Sequence, residues 1–391
     1  MKLLVTTNGR LYENNNKYYT PLVYGYTFFE RYLSFFDQVR LVAHVEHADD
    51  DDIKTMLRVD GPNLEVFPVV FPHGKFDYIK KYPKIKKQLL QSYKSCDVAI
   101  LRIPDQLAFQ LMPTLKKNAI PVGIEVTSNS WDLFAKDALN GFFRPFIRVL
   151  WHYQQKKACR TADASSYVTT EAIQKSYPPS PTTFTTNYSS VDLREYIKAP
   201  RNYGNEPLNN VVCMHVSGNI GGVCKGHGEL LRAMATLKNR GVNTKVILIG
   251  GGALSDENQK LVETEKLNVE LKGVLSASEI AQVMLEADIF VFPSYREGLP
   301  RVVIEAMATG LVCVATDLEG ITELLDTTVM VPVKDHEKIS DIIYDLISNP
   351  AKMSEQSQKN FDKACNYLPE KMNKNRTDFY SYLQGMVHKN D

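Results

Sequence analysis

Along this chain, short apolar runs alternate with longer stretches in which hydrophobic residues recur every three or four positions. In the first half the short runs are KLLVT (2–6), VRLVAHV (39–45), LEVFPVV (64–70), CDVAILR (96–102), IPVGIEV (120–126) and SSYVTT (165–170). In the second half they are NVVCMHVS (210–217), TKVILIG (244–250), NVELKG (268–273), DIFVFPS (288–294), LVCVAT (311–316) and TVMVPV (328–333). Such runs predict strands buried on both faces, and the patterns between them predict the covering helices. The fold class is therefore α/β with parallel sheets, and two series predict two Rossmann-like domains. Periodicity lapses at YIKAPRNYGNEPLNN, 196–210, where Pro, Gly and Asn cluster. The predicted division is 1–198, 199–368 and a polar helical segment, 369–391, that packs back on the first domain as a crossover helix.

Composition narrows the class. A chain of 391 residues suits two cores, and 44% hydrophobic content suits a globular protein. The net charge of +1 gives no global field for nucleic acid. No apolar run approaches the ~18–20 residues of a bilayer span, and the opening MKLLVTTNGR predicts a first strand rather than a signal peptide. Six scattered cysteines without a Cys-x-x-Cys pair argue against a disulfide framework or zinc site and for a reducing cytoplasm.

In an open α/β sheet, ligands sit beyond the C-terminal ends of the strands, so the strand-to-helix turns of the second half carry the chemistry. The first, HVSGNIGGVCKGHGELL, places Gly218, Gly221 and Gly222 in a loop and Lys225-Gly226 at a helix start. Backbone amides and a helix N-terminus suit a phosphate there, with Lys225 as a point charge. From this turn alone, a flexible loop with a solvated lysine is the better reading. The second turn carries Gly250, Gly251 and Gly252 directly after a strand, which lets a ligand lie on the backbone or simply loosens the strand end. The third holds a Ser276-x-x-Glu279 capping box, which reads better as structure than as a site, with backbone groups of Gly273 and Val274 open to a base as the alternative.

The fourth turn is PSYREGLPRVVIEAMATG, 293–310. Pro300 suits the first helical position and Gly310 the end of the helix. Glu297 then falls in the loop and Glu305 in the helix, on either side of a nest of amides from Gly298 and Leu299. A carboxylate accepts hydrogen bonds from vicinal hydroxyls, so the pair suits the two sugars of a nucleotide sugar, with its diphosphate between them. A helix-capping glutamate beside a surface glutamate is the plainer reading.

Glu297-x7-Glu305 in this setting, together with Lys225-Gly226 and VILIGGG, resembles the retaining GT-B glycosyltransferases of family 4. The likeness is strong over residues 211–350 and weaker over the first half. It implies two Rossmann-like domains facing a central cleft, with a nucleotide sugar as co-substrate and neither a cofactor nor a metal. It implies that Glu297 contacts the transferred sugar near the reaction centre and that Lys225 binds the diphosphate. Glu305 would bind the ribose diol, and Gly298, Leu299 and the neighbours of Pro300 would lie near sugar and diphosphate. Gly218, Gly250, Gly251 and Val274 complete the expected donor wall. The family's usual arginine falls at Asn219, with Arg301 or a first-domain residue as the substitute. The family's frequent first-domain histidine is missing from GIEVTSNSW, where Glu125, Thr127 or Ser128 stand near the expected acceptor side, as does Gly9.

Other features compete. HADDDDIK, 47–54, mimics an Asp-x-Asp metal site but reads better as a solvated turn and helix start. The eight histidines lack His-x-x-x-His spacing, and His227, placed beside Lys225 where it could reach a phosphate, reads better as a surface residue. NGRLYENNNKYYTPLVYG, 8–25, suits an acceptor loop or an ordinary surface loop. Residues 74–94 and 142–160 pair aromatic residues with Lys and Arg, which suits an anionic membrane surface as well as a solvated helix face. The expected activity is transfer to a glycan or lipid-linked acceptor at the cytoplasmic membrane face. A sugar-nucleotide epimerase or phosphorylase on the same fold, or a silent nucleotide-sugar-binding subunit, are the alternatives.

Overall fold

The computed structural model describes residues 1–22, 24–134 and 143–388. Among them, strands β1 (Lys2–Thr6), β2 (Leu11–Asn14), β3 (Lys17–Thr20), β4 (Gln38–His47), β5 (Leu57–Arg58), β6 (Leu64–Val70), β7 (Val98–Ile103), β8 (Val122–Val126), β9 (Ala164–Tyr167) and β10 (Phe184–Asn187) form the first sheet. Its parallel body runs β6-β4-β1-β7-β8-β9-β10, so the strand order reverses between β1 and β7. The central strands are buried on both faces, as Leu3, Leu4 and Val5 illustrate.

The polar segment 8–25 is not simply a loop. Part of it folds into the antiparallel hairpin β2–β3, in which Asn14 pairs with Lys17. Asn15 and Asn16 have φ of 51° and 58°, the conformation that a two-residue turn of this hand requires. β2 extends the sheet by pairing with the end of β4.

Strands β11 (Asn210–Asn219), β12 (Asn243–Gly251), β13 (Asn268–Leu271), β14 (Ile289–Phe292), β15 (Val312–Thr316) and β16 (Met330–Val331) form a second, wholly parallel sheet. Its order, β13-β12-β11-β14-β15-β16, is that of a Rossmann sheet, with the reversal between β11 and β14. Between the sheets, the Arg201 guanidinium pins the linker to the second domain by donating to the carbonyls of Met284 (2.7 Å) and Thr309 (3.2 Å).

The helix Pro369–Val387 lies on the first sheet. Phe379, Tyr380 and Leu383 are its buried face, and Asn375 donates to the Asn187 carbonyl at 2.7 Å. Residues 389–391 fall outside the described residues. Among the described residues, no helix is long and apolar enough to cross a membrane.

Candidate active site

A cavity of about 740 Å³ opens where the C-terminal ends of the two sheets face each other. That is within the usual size of a small-molecule site. Its walls are the strand-to-helix turns, whose amides and small residues leave room for a ligand.

On the second domain, β11 delivers Ser217 and Gly218 to the cavity, and the turn that follows delivers Lys225. Lys225 Nζ lies 2.6 Å from Glu297 Oε1, and the Ser294 hydroxyl donates to the same oxygen at 3.1 Å. The two loops are joined by backbone as well, since Tyr295 N–H donates to the Cys224 carbonyl at 2.9 Å. β12 ends at Gly250 and Gly251, which also line the cavity. A Cβ on Gly250 would stand 2.0 Å from the Ser217 carbonyl oxygen, so only glycine allows these two turns to stack.

The fourth turn contributes Arg296, Glu297, Gly298, Leu299, Pro300 and Arg301, and Glu305 from the helix beyond. That helix is Arg301–Ala308, so Pro300 is its N-cap rather than its first helical residue. Gly310, at φ 72°, ends it in the left-handed conformation. Burial pushes the Glu305 carboxyl up to about 7, Asp192 adds to the rise, and Arg301 opposes it. Val274 reaches the rim, and Ser276 and Glu279 form the reciprocal cap anticipated for the helix behind it.

The first-domain wall includes Asn8, Tyr24, Arg102, Thr127, Ser128, Asn129 and Asp132. Here three expectations need correction. Gly9 is not part of the lining; its neighbour Asn8 is. Glu125 is buried beneath the wall, where it accepts from Tyr188 (2.8 Å), Tyr32 (3.0 Å) and Tyr380 (3.3 Å). Strand alternation puts it on the same side of β8 as Gly123, against the helix Pro369–Val387. Asn219 is also not part of the lining; it is exposed, and its side-chain oxygen folds back on its own turn to accept from Gly221 N–H at 2.9 Å. The cations that line the cavity are Lys225, Arg296, Arg301 and Arg102.

His227 is likewise not a surface residue. It is buried with its Nε2 3.2 Å from Ser217 Oγ and its ring edge-on to His215. Burial lowers both imidazoles, to about 4 and about 3. Asp49 and Asp52 cap the short helix Asp50–Ile53 reciprocally. No group of three or more His, Cys, Asp or Glu among the described residues is disposed to hold a metal ion.

The sequence reading passed over the turn after β15, which joins the two walls. Glu319 accepts from the Asn129 amide and from the Ser176 hydroxyl (2.6 Å). Glu323 accepts from the backbone N–H groups of Thr170 (2.8 Å), Glu171 (3.0 Å) and Ala172 (3.1 Å) in the first domain. Gly298 packs so closely on the first domain that a Cβ there would meet the Thr127 carbonyl oxygen at 2.4 Å. A Cβ on Gly320 would lie 1.4 Å from the Gly298 oxygen. The available signal was position alone: DLEG follows a strand directly, as the other four turns do.

The two basic aromatic segments are helices of the first domain, Gly74–Ser92 and Arg144–Thr161, and both pack against the helix Gln106–Lys117. Phe76 (90% exposed), Ile79 and Tyr82 project from one; Phe146 (71% exposed), Val149 and Tyr153 project from the other. Phe142, the first residue of the segment 142–160, lies outside the described residues. Arg148 stacks on Trp131 beside the cavity mouth, its guanidinium 3.9 Å from the ring centroid.

This two-domain geometry recurs in solved structures. Sucrose-phosphate synthase from Thermosynechococcus elongatus superposes over 98% of this chain and 99% of its own with a TM-score of 0.69 and 15% identity. HepE of Anabaena, solved in complex with UDP and glucose, superposes over 98% of this chain and all of its own at 0.65 and 16%. The fold is GT-B. Within this GT-B chain, residues 213–364 match the family model of glycosyl transferases group 1, and that span holds most of the second-domain wall. Protein CapJ of Staphylococcus aureus is 23% identical over 349 residues, 88% of this chain and 85% of that protein. The putative glycosyltransferase EpsF of Bacillus subtilis is 37% identical over 102 residues, and the GT-B chain here matches only 26% of its length.

Proposed function

We propose that this protein is a retaining glycosyltransferase of the family 4 type, which moves a sugar from a nucleoside diphosphate sugar to a hydroxyl of a glycan or lipid-linked acceptor. The observation that carries the reading is the Lys225–Glu297 pair at 2.6 Å, set beside the glycine backbone at the Rossmann reversal of the second sheet. In this reading the donor diphosphate takes over Lys225 and lies against the amides of Gly298 and Leu299. The transferred sugar engages Glu297 and the ribose diol engages Glu305. A preorganised cation and amides stabilise charge developing on the leaving oxygens, and the leaving diphosphate receives the acceptor proton. Glu297 orients the sugar and shapes the field rather than forming a covalent bond. No metal is required, so activity should survive EDTA.

The relatives support a polysaccharide setting: one is named as a capsular polysaccharide biosynthesis glycosyltransferase and another as a putative teichuronic acid one. The exposed aromatic residues of the helices Gly74–Ser92 and Arg144–Thr161, with their lysines and arginines, support docking on an anionic cytoplasmic membrane face. A second reading, a nucleotide-sugar-binding subunit without turnover, draws on Asn219, which leaves the family's arginine position without a cation at the cavity.

A thermal-shift screen of nucleotide sugars tests donor binding, since a ligand at 100 times its Kd stabilises by roughly 2.7 kcal/mol. Release of nucleoside diphosphate only when acceptor is present supports the transferase. Stabilisation by a nucleotide sugar with no release against any acceptor supports the subunit.

A further inference from the structure

The first sheet has its own reversal point, between β1 and β7, and it faces the same cleft. Asn8 follows β1 there, and Arg102 is the penultimate residue of β7; both line the cavity. Arg102 also borders a small side cavity of about 20 Å³, together with Arg31, Glu125 and Thr127. Two guanidinium groups thus share one carboxylate: Arg102 Nε is 3.2 Å and Arg31 Nη2 3.9 Å from Glu125 Oε2. The Glu125 oxygens already accept from three tyrosine hydroxyls. Arg31 Nε is buried without a hydrogen-bond partner, while Arg102 Nε is engaged in the ion pair with Glu125. Asp132, the other acid on this wall, has Arg148 as its cationic neighbour. The cluster therefore carries one positive charge more than it neutralises, and Arg102 brings that charge to the cavity lining where an open α/β sheet binds ligands.

We infer that Arg102, backed by Arg31, forms an anion subsite on the acceptor side of the cleft, so that the acceptor carries a phosphate or carboxylate close to the hydroxyl that is glycosylated. A guanidinium fork matches either oxyanion, and burial leaves the attraction poorly screened. The inference rests on the glycosyltransferase reading, because it assigns the ligand as acceptor.

The test is calorimetry on the full chain, first saturated with whichever nucleoside diphosphate the donor screen identifies. Inorganic phosphate and glucuronate are the two probes. One of them should bind with one site per chain, and the one that binds distinguishes a phosphate-bearing from a uronate-bearing acceptor. Arg102→Gln should weaken that binding at least tenfold and Arg102→Lys less, with nucleoside diphosphate affinity unchanged in both. Should the Gln variant fail to fold, the Lys variant and the parent titration still decide. Absence of binding of both probes to the parent, or parent-like binding in Arg102→Gln, overturns the subsite and leaves the donor reading intact. Failure to bind any nucleoside diphosphate overturns the donor reading instead.

Discussion

Glu297 and Glu305 differ in what surrounds them, and their variants should fail differently. Glu297→Gln keeps the shape but removes the charge beside Lys225. It should lower kcat at least about 100-fold, the scale of one lost electrostatic stabiliser, with little change in nucleoside diphosphate affinity. Steady-state rates with calorimetry decide, and a variant with most of its turnover removes Glu297 from the reaction centre. Glu305, raised to about 7 by burial, binds its proton in the folded state at pH values where the unfolded chain has released it. Its contribution to stability is therefore full below about pH 4.5 and is lost as pH rises through 7. Glu305→Gln, always neutral, should gain on the order of 1–3 kcal/mol relative to the parent between pH 5 and pH 8. Nucleotide affinity of the parent should fall below pH 7, because a ribose diol needs the ionised acceptor. An equal stability gap at both pH values would show that the carboxyl titrates normally. At this scale, the legible residues are those whose chemistry is local. Lys225 and Glu297 stand in turns that a strand and a helix bracket in the sequence, and Glu305 stands in the helix that follows the second of them. Arg102 is not legible, because its meaning depends on Arg31 and Glu125, distant in the chain and joined only by the sheet.

Elements show the same division. The Ser276 cap is written within four residues and forms as read. The β2–β3 hairpin escapes because polar Tyr, Asn and Lys residues obscure its alternation, although Asn-Asn is a turn signal. The turn after β15 depends on a close approach that no local pattern announces. Gly320→Ala would drive a methyl into the Gly298 carbonyl and should destabilise by more than about 2 kcal/mol, read by chemical denaturation. The helix Gly74–Ser92 offers a different test. Replacing Lys80, Lys81, Lys84, Lys86 and Lys87 by Gln should abolish sedimentation with anionic vesicles, since each contributes about 1 kcal/mol near such a surface. Ile85 and Leu89 are buried and stay unchanged, as does the half-exposed Tyr82. A five-fold variant that sediments like its parent would remove this helix from the docking face.

For the molecule as a whole, alternating runs disclose two parallel sheets, whereas the strand order and the facing of the two reversal points arise only from pairing between distant segments. The same holds for domain closure. Glu323 collects three N–H groups of the first domain, so Glu323→Ala should favour an open arrangement by on the order of 2 kcal/mol, seen as a larger radius of gyration in small-angle scattering. An unchanged radius would mean that the Glu319 and Gly298 contacts keep the halves together without Glu323. That contact is built from main chain on both sides, with Gly298 seated on the Thr127 carbonyl and Gly320 seated on Gly298. Chimaeras that borrow a first domain from a relative must therefore reproduce the backbone path at 127–128, not merely its side chains. A graft that matches every specificity residue but shifts that path by an ångström would still leave the two halves unable to meet.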